Sequence, residues 1–241
     1  MDTELATMPL VLMYHSVEAY QADPYQVTVR PERFAQQLRW LRRRGLRGVG
    51  MRELLRARRD GRGAGLVGLT FDDGYRDFLT EVVPALDRYG FTATVFVVAG
   101  GLGGHNTWDE PGPRKPLMTA AEVRRVADAG VEIGSHSLSH VQLPDVSDGA
   151  LFDEVRRSRL LLTEIAGREV TGFCYPYGSV GEREIEAVRA AGYDYACATK
   201  APESLAGRHA VPRTFIGDRD TSPRLFAKVA RHRLTTARSA R

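Results

Sequence analysis

Leu66-Val67-Gly68-Leu69-Thr70-Phe71-Asp72-Asp73-Gly74 reads as a short apolar strand that ends abruptly in two acids and a glycine. A brief apolar run bounded by turn residues is the pattern of a strand covered on both faces, and such strands belong to parallel sheets. The same unit recurs on either side of it. Upstream lie an apolar run at 10–14, a helix opened by Pro31 and closed by Gly45, and a second helix over Met51–Arg59. Downstream the pattern predicts a helix over 79–88, a strand over 92–98, and a helix over 119–129 with Thr119 and Glu122 spaced as a capping box. A strand over 131–133, a helix over 148–166, a strand over 170–174, a helix over 182–191, a strand over 193–198 and a last helix over 222–230 complete the series. Strands alternating with crossover helices imply a parallel sheet. About seven such units in one domain predict an α/β chain folded as a distorted, incomplete β/α barrel of about seven strands. An open doubly wound sheet is the other candidate, but no glycine-rich phosphate turn follows the first strand.

In β/α barrels chemistry sits where strands end. His15 follows the first strand, Asp72 and Asp73 follow the Leu66–Phe71 strand, His136 and His140 follow the strand near 131, and Pro176, Tyr177 and Gly178 follow the strand near 170. Neighbours in a strand point to opposite faces, so Asp72 and Asp73 reach one site only if the chain turns there, which Gly74 permits. Taken alone, Asp-Asp-Gly is more often a solvated surface turn. The i, i+4 spacing of His136 and His140 places two imidazoles on one face of a helical turn, as in many metal sites. One aspartate and two histidines make a three-ligand set with an open position for water, the plan of zinc-type hydrolytic sites. Such an ion would polarise a carbonyl, leaving the second aspartate as general base.

These residues resemble a known family. Thr70-Phe71-Asp72-Asp73-Gly74, His136-Ser137-Leu138-Ser139-His140 and Tyr175-Pro176-Tyr177-Gly178 look like the first three motifs of the polysaccharide deacetylases, carbohydrate esterase family four. The resemblance runs from about residue 9 to about 215. It implies a distorted β/α barrel, Asp72 as general base, and Asp73, His136 and His140 as ligands of one divalent ion, zinc first, with nickel, cobalt or iron as alternatives. It also gives the backbone N–H of Tyr177 to the oxyanion. Trp108, Tyr175 and Leu138, with Pro176, are the candidates to shape the pocket for a sugar face or acetyl methyl; for Trp108 a loop aromatic packed on the core is the equal alternative. Two positions depart from the pattern. Cys174 stands where many members carry the arginine that orients the base, and Arg213, in Val211-Pro212-Arg213-Thr214, is the candidate replacement. The C-terminal Leu-x-His motif that carries the acid histidine is missing. The permuted branch, which includes poly-N-acetylglucosamine deacetylases, instead places that histidine in a first-strand Met-Tyr-His stretch, and Met13-Tyr14-His15 resembles it. His15 would then protonate the departing amine.

Composition narrows the setting. The chain has 241 residues, 43% hydrophobic and 27% charged, and a formal charge of +4. Arg224, Lys228, Arg231, Arg233, Arg238 and Arg241 concentrate the positive charge beyond residue 220, and without them acids outnumber bases. The expected division is a catalytic domain over 1–220 and a C-terminal helix and basic tail over 221–241. A terminal basic run is more often a solvated end than a nucleic-acid arm, so no nucleic acid is expected. No apolar run approaches the length of a membrane span. Asp2 and Glu4 are unlike a secretory leader, and two cysteines are too few for a disulfide scaffold, so a reducing cytoplasmic setting is expected. The reading is a metal-dependent hydrolase that removes an N-acetyl group from an amino-sugar-containing substrate, small or carrier-linked. A deformylase or other C–N hydrolase of the same fold and a sugar-binding pseudoenzyme are the alternatives. Oligomeric state is not legible.

Overall fold

The structure is a computed structural model that describes residues 8–239; Asp2, Glu4 and Arg241 lie outside the described residues, as do the side chains of Arg233 and Arg238. The chain runs through β1 (Val11–Tyr14), β2 (Ser16–Val17), β3 (Thr28–Val29), α1 (Pro31–Arg43), β4 (Arg47–Val49) and α2 (Met51–Arg59) to β5 (Leu66–Phe71). Then follow α3 (Val83–Asp87), β6 (Thr94–Val97), α4 (Ala120–Asp128), β7 (Glu132–Ser135), α5 (Asp148–Ala166) and β8 (Gly172–Cys174). The series ends with α6 (Glu182–Ala190), β9 (Tyr195–Ala198), β10 (Val211–Pro212), β11 (Thr214–Phe215) and α7 (Ser222–Ser239).

All pairings in the main sheet are parallel, in the order β10-β9-β8-β7-β6-β5-β1-β11, with β4 beside β5. The two ends of this order are one stretch of chain. Val211 and Pro212 pair with β9, Thr214 and Phe215 pair with β1, and Arg213 alone separates them. The sheet thus nearly closes into a barrel, and residues 211–215 form its seam. The expected open doubly wound alternative is excluded by that closure.

Burial alternates along the strands. Val11, Phe96, Cys174, Tyr195, Cys197 and Val211 form one apolar cluster, whereas Leu12, Val95, Val97, Phe173, Ala196 and Ala198 belong to the larger cluster. That period of two puts the first set inside the barrel and the second against the helices. Glycine makes room for the interior aromatics. A Cβ at Gly172 would lie 2.1 Å from the Tyr195 hydroxyl, and one at Gly134 would lie 2.4 Å from the Phe96 ring.

Local differences from the sequence reading have local causes. The expected helix over 79–88 begins as a wider π-type turn over Phe78–Val82, and Pro84 in its continuation lacks an N–H to donate. The seam strands and β2–β4 are two or three residues long, too short for periodicity to register. Thr119 and Glu122 form the expected capping box. The last helix extends to Ser239, and its Leu225 and Val229 enter the larger core cluster.

Candidate active site

Asp72 continues the interior phase of Gly68 and Thr70 past the end of β5. Asp73 would therefore face outward, but the turn begins at Asp73 itself, with φ +74°, and continues through Gly74 at +77°. The turn brings both carboxylates to the mouth of the barrel, where they are buried, 3% and 4% exposed. Among the described residues, four of the five non-glycine residues with positive φ are Asp73, Ser137, His140 and Tyr177, all at this mouth. Backbone strain of this kind persists only where surrounding packing holds it, and it concentrates at functional sites.

Asp73 Oδ1 lies 3.4 Å from His136 Nε2 and 3.3 Å from His140 Nε2. The two imidazoles do not converge on a helical turn as their spacing predicts. Residues 136–140 are a loop, and the left-handed conformations of Ser137 and His140 bend it instead. Ser137 Oγ accepts from the His140 N–H, and Glu154 on α5 accepts from the N–H groups of Leu138 and Ser139 and from the Ser139 hydroxyl. Glu154 is invisible to motif reading because it lies in an ordinary amphipathic helix. His136 Nδ1 is 2.8 Å from the Cys174 carbonyl, so that nitrogen carries the proton and Nε2 turns its lone pair toward Asp73. Burial pushes the His136 pKa down to about 4, which keeps it neutral, as a ligand must be. Burial alone would raise the Asp73 pKa, but the imidazoles beside it, His140 first, hold it well below the usual carboxylate range. Asp73 Oδ1 has no hydrogen-bond partner and is fully buried. An orphaned carboxylate oxygen facing two imidazole nitrogens, all within 4.8 Å of one another, fits a divalent ion.

Asp72 has different company. Arg213 donates from Nη1 to Oδ1 at 2.6 Å and from Nη2 to Oδ2 at 2.7 Å, a two-pronged pair inside the barrel. Nη1 also reaches Thr70 Oγ1 at 3.2 Å, and Nη2 lies 3.0 Å from Cys174 Sγ. The guanidinium thus comes from the seam and meets the cysteine of motif three. Against the upward push of burial, Arg213 holds the Asp72 carboxyl below its ordinary pKa. His15 Nε2 is 3.9 Å from Asp72 Oδ2, and its ring centroid is 6.4 Å from that of Phe215. Asp72, His136 and Cys174 form a second close set of ligand-type atoms. That set is engaged already: Arg213 holds Asp72, and burial pushes the Cys174 thiol up, leaving it protonated.

Trp108 stacks on His140, with centroids 4.4 Å apart and planes at 22°, while Tyr177 meets the same imidazole edge-on at 4.8 Å. Tyr177 is 41% exposed and turns the chain at φ +58°. Leu138 is half-buried, and its carbonyl accepts from the Gly100 N–H. Pro176 is buried at the start of the 3-10 turn. Tyr175 is not brought to the mouth: it is fully buried, packs on Phe173 and donates its hydroxyl to the His209 carbonyl. Its place is in the core, because β8 pairing turns its side chain away from the pocket. Sequence reading also missed Lys115. Its buried ammonium donates to Ser16 Oγ at 2.8 Å, Thr28 Oγ1 at 2.8 Å and Glu18 Oε1 at 2.5 Å, tying the Trp108 loop to the segment just after His15. Ser16 in turn donates to Asp77, which burial pushes up to about 6.

Among the described residues no helix is long and apolar enough to cross a membrane. The pattern of the polysaccharide deacetylase family matches residues 59–196. YxkH of Bacillus subtilis strain 168, which carries the same family name, is 26% identical over 79% of this chain and 64% of its own length. The poly-beta-1,6-N-acetyl-D-glucosamine N-deacetylase of Escherichia coli K12 is 27% identical over 77% of this chain, which spans only 33% of that protein. Among solved structures, the Streptococcus pyogenes deacetylase PplD superposes with a TM-score of 0.78 at 21% identity, over 92% of this chain and 98% of the other. IcaB from Ammonifex degensii superposes with a TM-score of 0.76 at 24% identity, over 92% and 97%. At these identities the structural likeness speaks to the fold alone.

Proposed function

The chain belongs to the polysaccharide deacetylase family, and on that premise we propose that it is a metal-dependent hydrolase that removes the N-acetyl group of an amino-sugar-containing substrate and releases acetate. The observation that carries this reading is the division of labour between neighbouring acids: Asp73 faces His136 and His140, while Asp72 is held ionised by Arg213 with His15 beside it. A sugar-binding module has no use for a buried carboxylate kept deprotonated next to a histidine.

Asp73, His136 and His140 would hold the ion, with zinc first among zinc, nickel, cobalt and iron. When bound, the ion supplies Lewis acidity, polarising the acetamide carbonyl and making water easier to deprotonate. The rest falls to the chain. Asp72 takes the proton from the attacking water, and its two bonds to Arg213 keep it ionised and aimed. The backbone N–H of Tyr177 donates to the oxygen of the reacting carbonyl, where negative charge develops. His15 gives its proton to the sugar nitrogen as the C–N bond breaks, so the products are acetate and a free amine. Trp108 and Tyr177 enclose His140 and limit water at the mouth.

The test is acetate release by the purified protein, reconstituted with each of the four metals, from N-acetylglucosamine glycosides and oligosaccharides. Acetate production with at least one metal is expected. Its absence with every metal and every N-acetylated sugar would overturn the reading, and formate release from N-formyl sugars in its place would transfer it to deformylation.

A further inference from the structure

A cavity of about 560 Å³ opens beside the catalytic mouth, lined by the segment after β2, the loop that follows the seam and the first turns of α7. Phe215 is common to both places: its ring lines this cavity and lies 6.4 Å from that of His15. The catalytic residues described above do not use the rest of it.

The charges on its wall are unevenly committed. Its three carboxylates are all engaged. Asp23 accepts from the N–H groups of Val27 and Thr28. Asp218 accepts from the Arg30 N–H and guanidinium and from the Tyr20 hydroxyl. Asp220 accepts from the Gly217 N–H and pairs with Lys228 at 2.6 Å. Two cations, Arg219 and Arg224, line the same cavity with their side chains exposed, and among the described residues neither has a side-chain hydrogen bond or ion pair within the protein. Each guanidinium presents a planar fork of donors that matches a phosphate. Phe215, 37% exposed, is the apolar residue of this wall, with Lys228 Nζ 5.5 Å from its ring centroid.

We infer that this cavity binds the phosphate of a phosphorylated sugar conjugate, through Arg219 and Arg224, while the N-acetyl group of the same molecule lies at Asp72 and His15. The inference rests on the deacetylase reading for its catalytic half and names the substrate class: an N-acetylated sugar esterified by phosphate, as a monoester or as the first phosphate of a carrier.

The test is calorimetric titration of the metal-loaded protein with N-acetylglucosamine 1-phosphate and with methyl N-acetylglucosaminide. The phosphate ester is expected to bind at least about tenfold more tightly. In Arg219→Gln/Arg224→Gln that preference should collapse while binding of the neutral glycoside holds, and Arg157→Gln, an exposed arginine on α5, should leave both unchanged. Equal binding of the two ligands by the unaltered protein, or a preference that survives the double substitution, overturns the inference. Acetate release from the neutral glycoside is measured in parallel. Its absence would count against deacetylation, whereas the phosphate preference is read from binding and stands or falls by itself.

Discussion

The two sides of the catalytic mouth are built on different principles. On one side Asp73, His136 and His140 come from two contiguous motifs, each folded back by left-handed residues within a few positions. On the other, the partners of Asp72 come from opposite ends of the chain: His15 follows β1, and Arg213 sits in the two-part seam that pairs with β9 and β1. The first side needs local turns and the neighbouring strands β5, β6 and β7, but not closure of the barrel. The second exists only when the barrel closes, so the proton transfer proposed for it depends on the whole fold. The difference predicts that substitutions on the first side remove the ion and leave the fold, whereas those on the second spare the ion and tax proton transfer or stability.

The largest effect is expected from His136→Ala. Losing one ligand of three should empty the site and lower acetate release by about a thousandfold or more, as measured turnover beside metal content. Asp72→Asn comes next. Turnover should fall by a factor of about 10²–10⁴, the usual contribution of a positioned general base. A variant that lost its metal as well would break the division between the two sides.

His15→Asn should reduce kcat by about a hundredfold with metal content unchanged. A smaller loss on substrates with better leaving groups would sharpen its assignment as acid, and unchanged turnover on every substrate would remove it from the mechanism. Arg213→Met has a smaller effect at neutral pH but a characteristic pH signature. Arg213 lowers the Asp72 pKa and burial raises it, so without the guanidinium Asp72 protonates at higher pH. The acid limb of the rate profile should move upward. Stability follows the same sign. A carboxylate with a depressed folded pKa stabilises the fold above its unfolded pKa, and that contribution fades as pH falls through the folded pKa. The variant should lack it at neutral pH, and leaving Asp72 buried and unpaired should cost about 3–5 kcal/mol in chemical denaturation. Cys174→Ala is expected to be the mildest. Arg213 keeps both bonds to Asp72 without the thiol, so turnover should stay within about threefold.

What was legible follows from the same contrast. The alternation of β5 through β9 with α4–α6 was readable because the helices are long enough to display their period and the strands, three-residue β8 included, lie in short apolar runs bounded by turn residues. The metal-side residues were readable because their spacing is local. Arg213 was reachable only as a replacement for a missing arginine at Cys174, since nothing in Val211-Pro212-Arg213-Thr214 distinguishes a barrel seam from a loop. The i, i+4 spacing of His136 and His140 suggested convergence for the wrong reason: a left-handed loop braced by Glu154, and not a helix, brings the rings together. Tyr175 looked like a pocket residue because it adjoins the motif-three proline, but the core takes its ring. Lys115 carries no motif at all; its importance lies in burial among Ser16, Glu18 and Thr28, which only the folded chain supplies.

The most direct test is the metal-to-protein ratio of Asp72→Asn beside that of Asp73→Asn, each measured after reconstitution and exhaustive dialysis against metal-free buffer. The predicted result is about one ion per chain in Asp72→Asn and close to none in Asp73→Asn, with acetate release lowered at least about a hundredfold in both. Equal loss of metal from the two variants, or retention in both, would contradict the assignment of separate tasks to these adjacent acids.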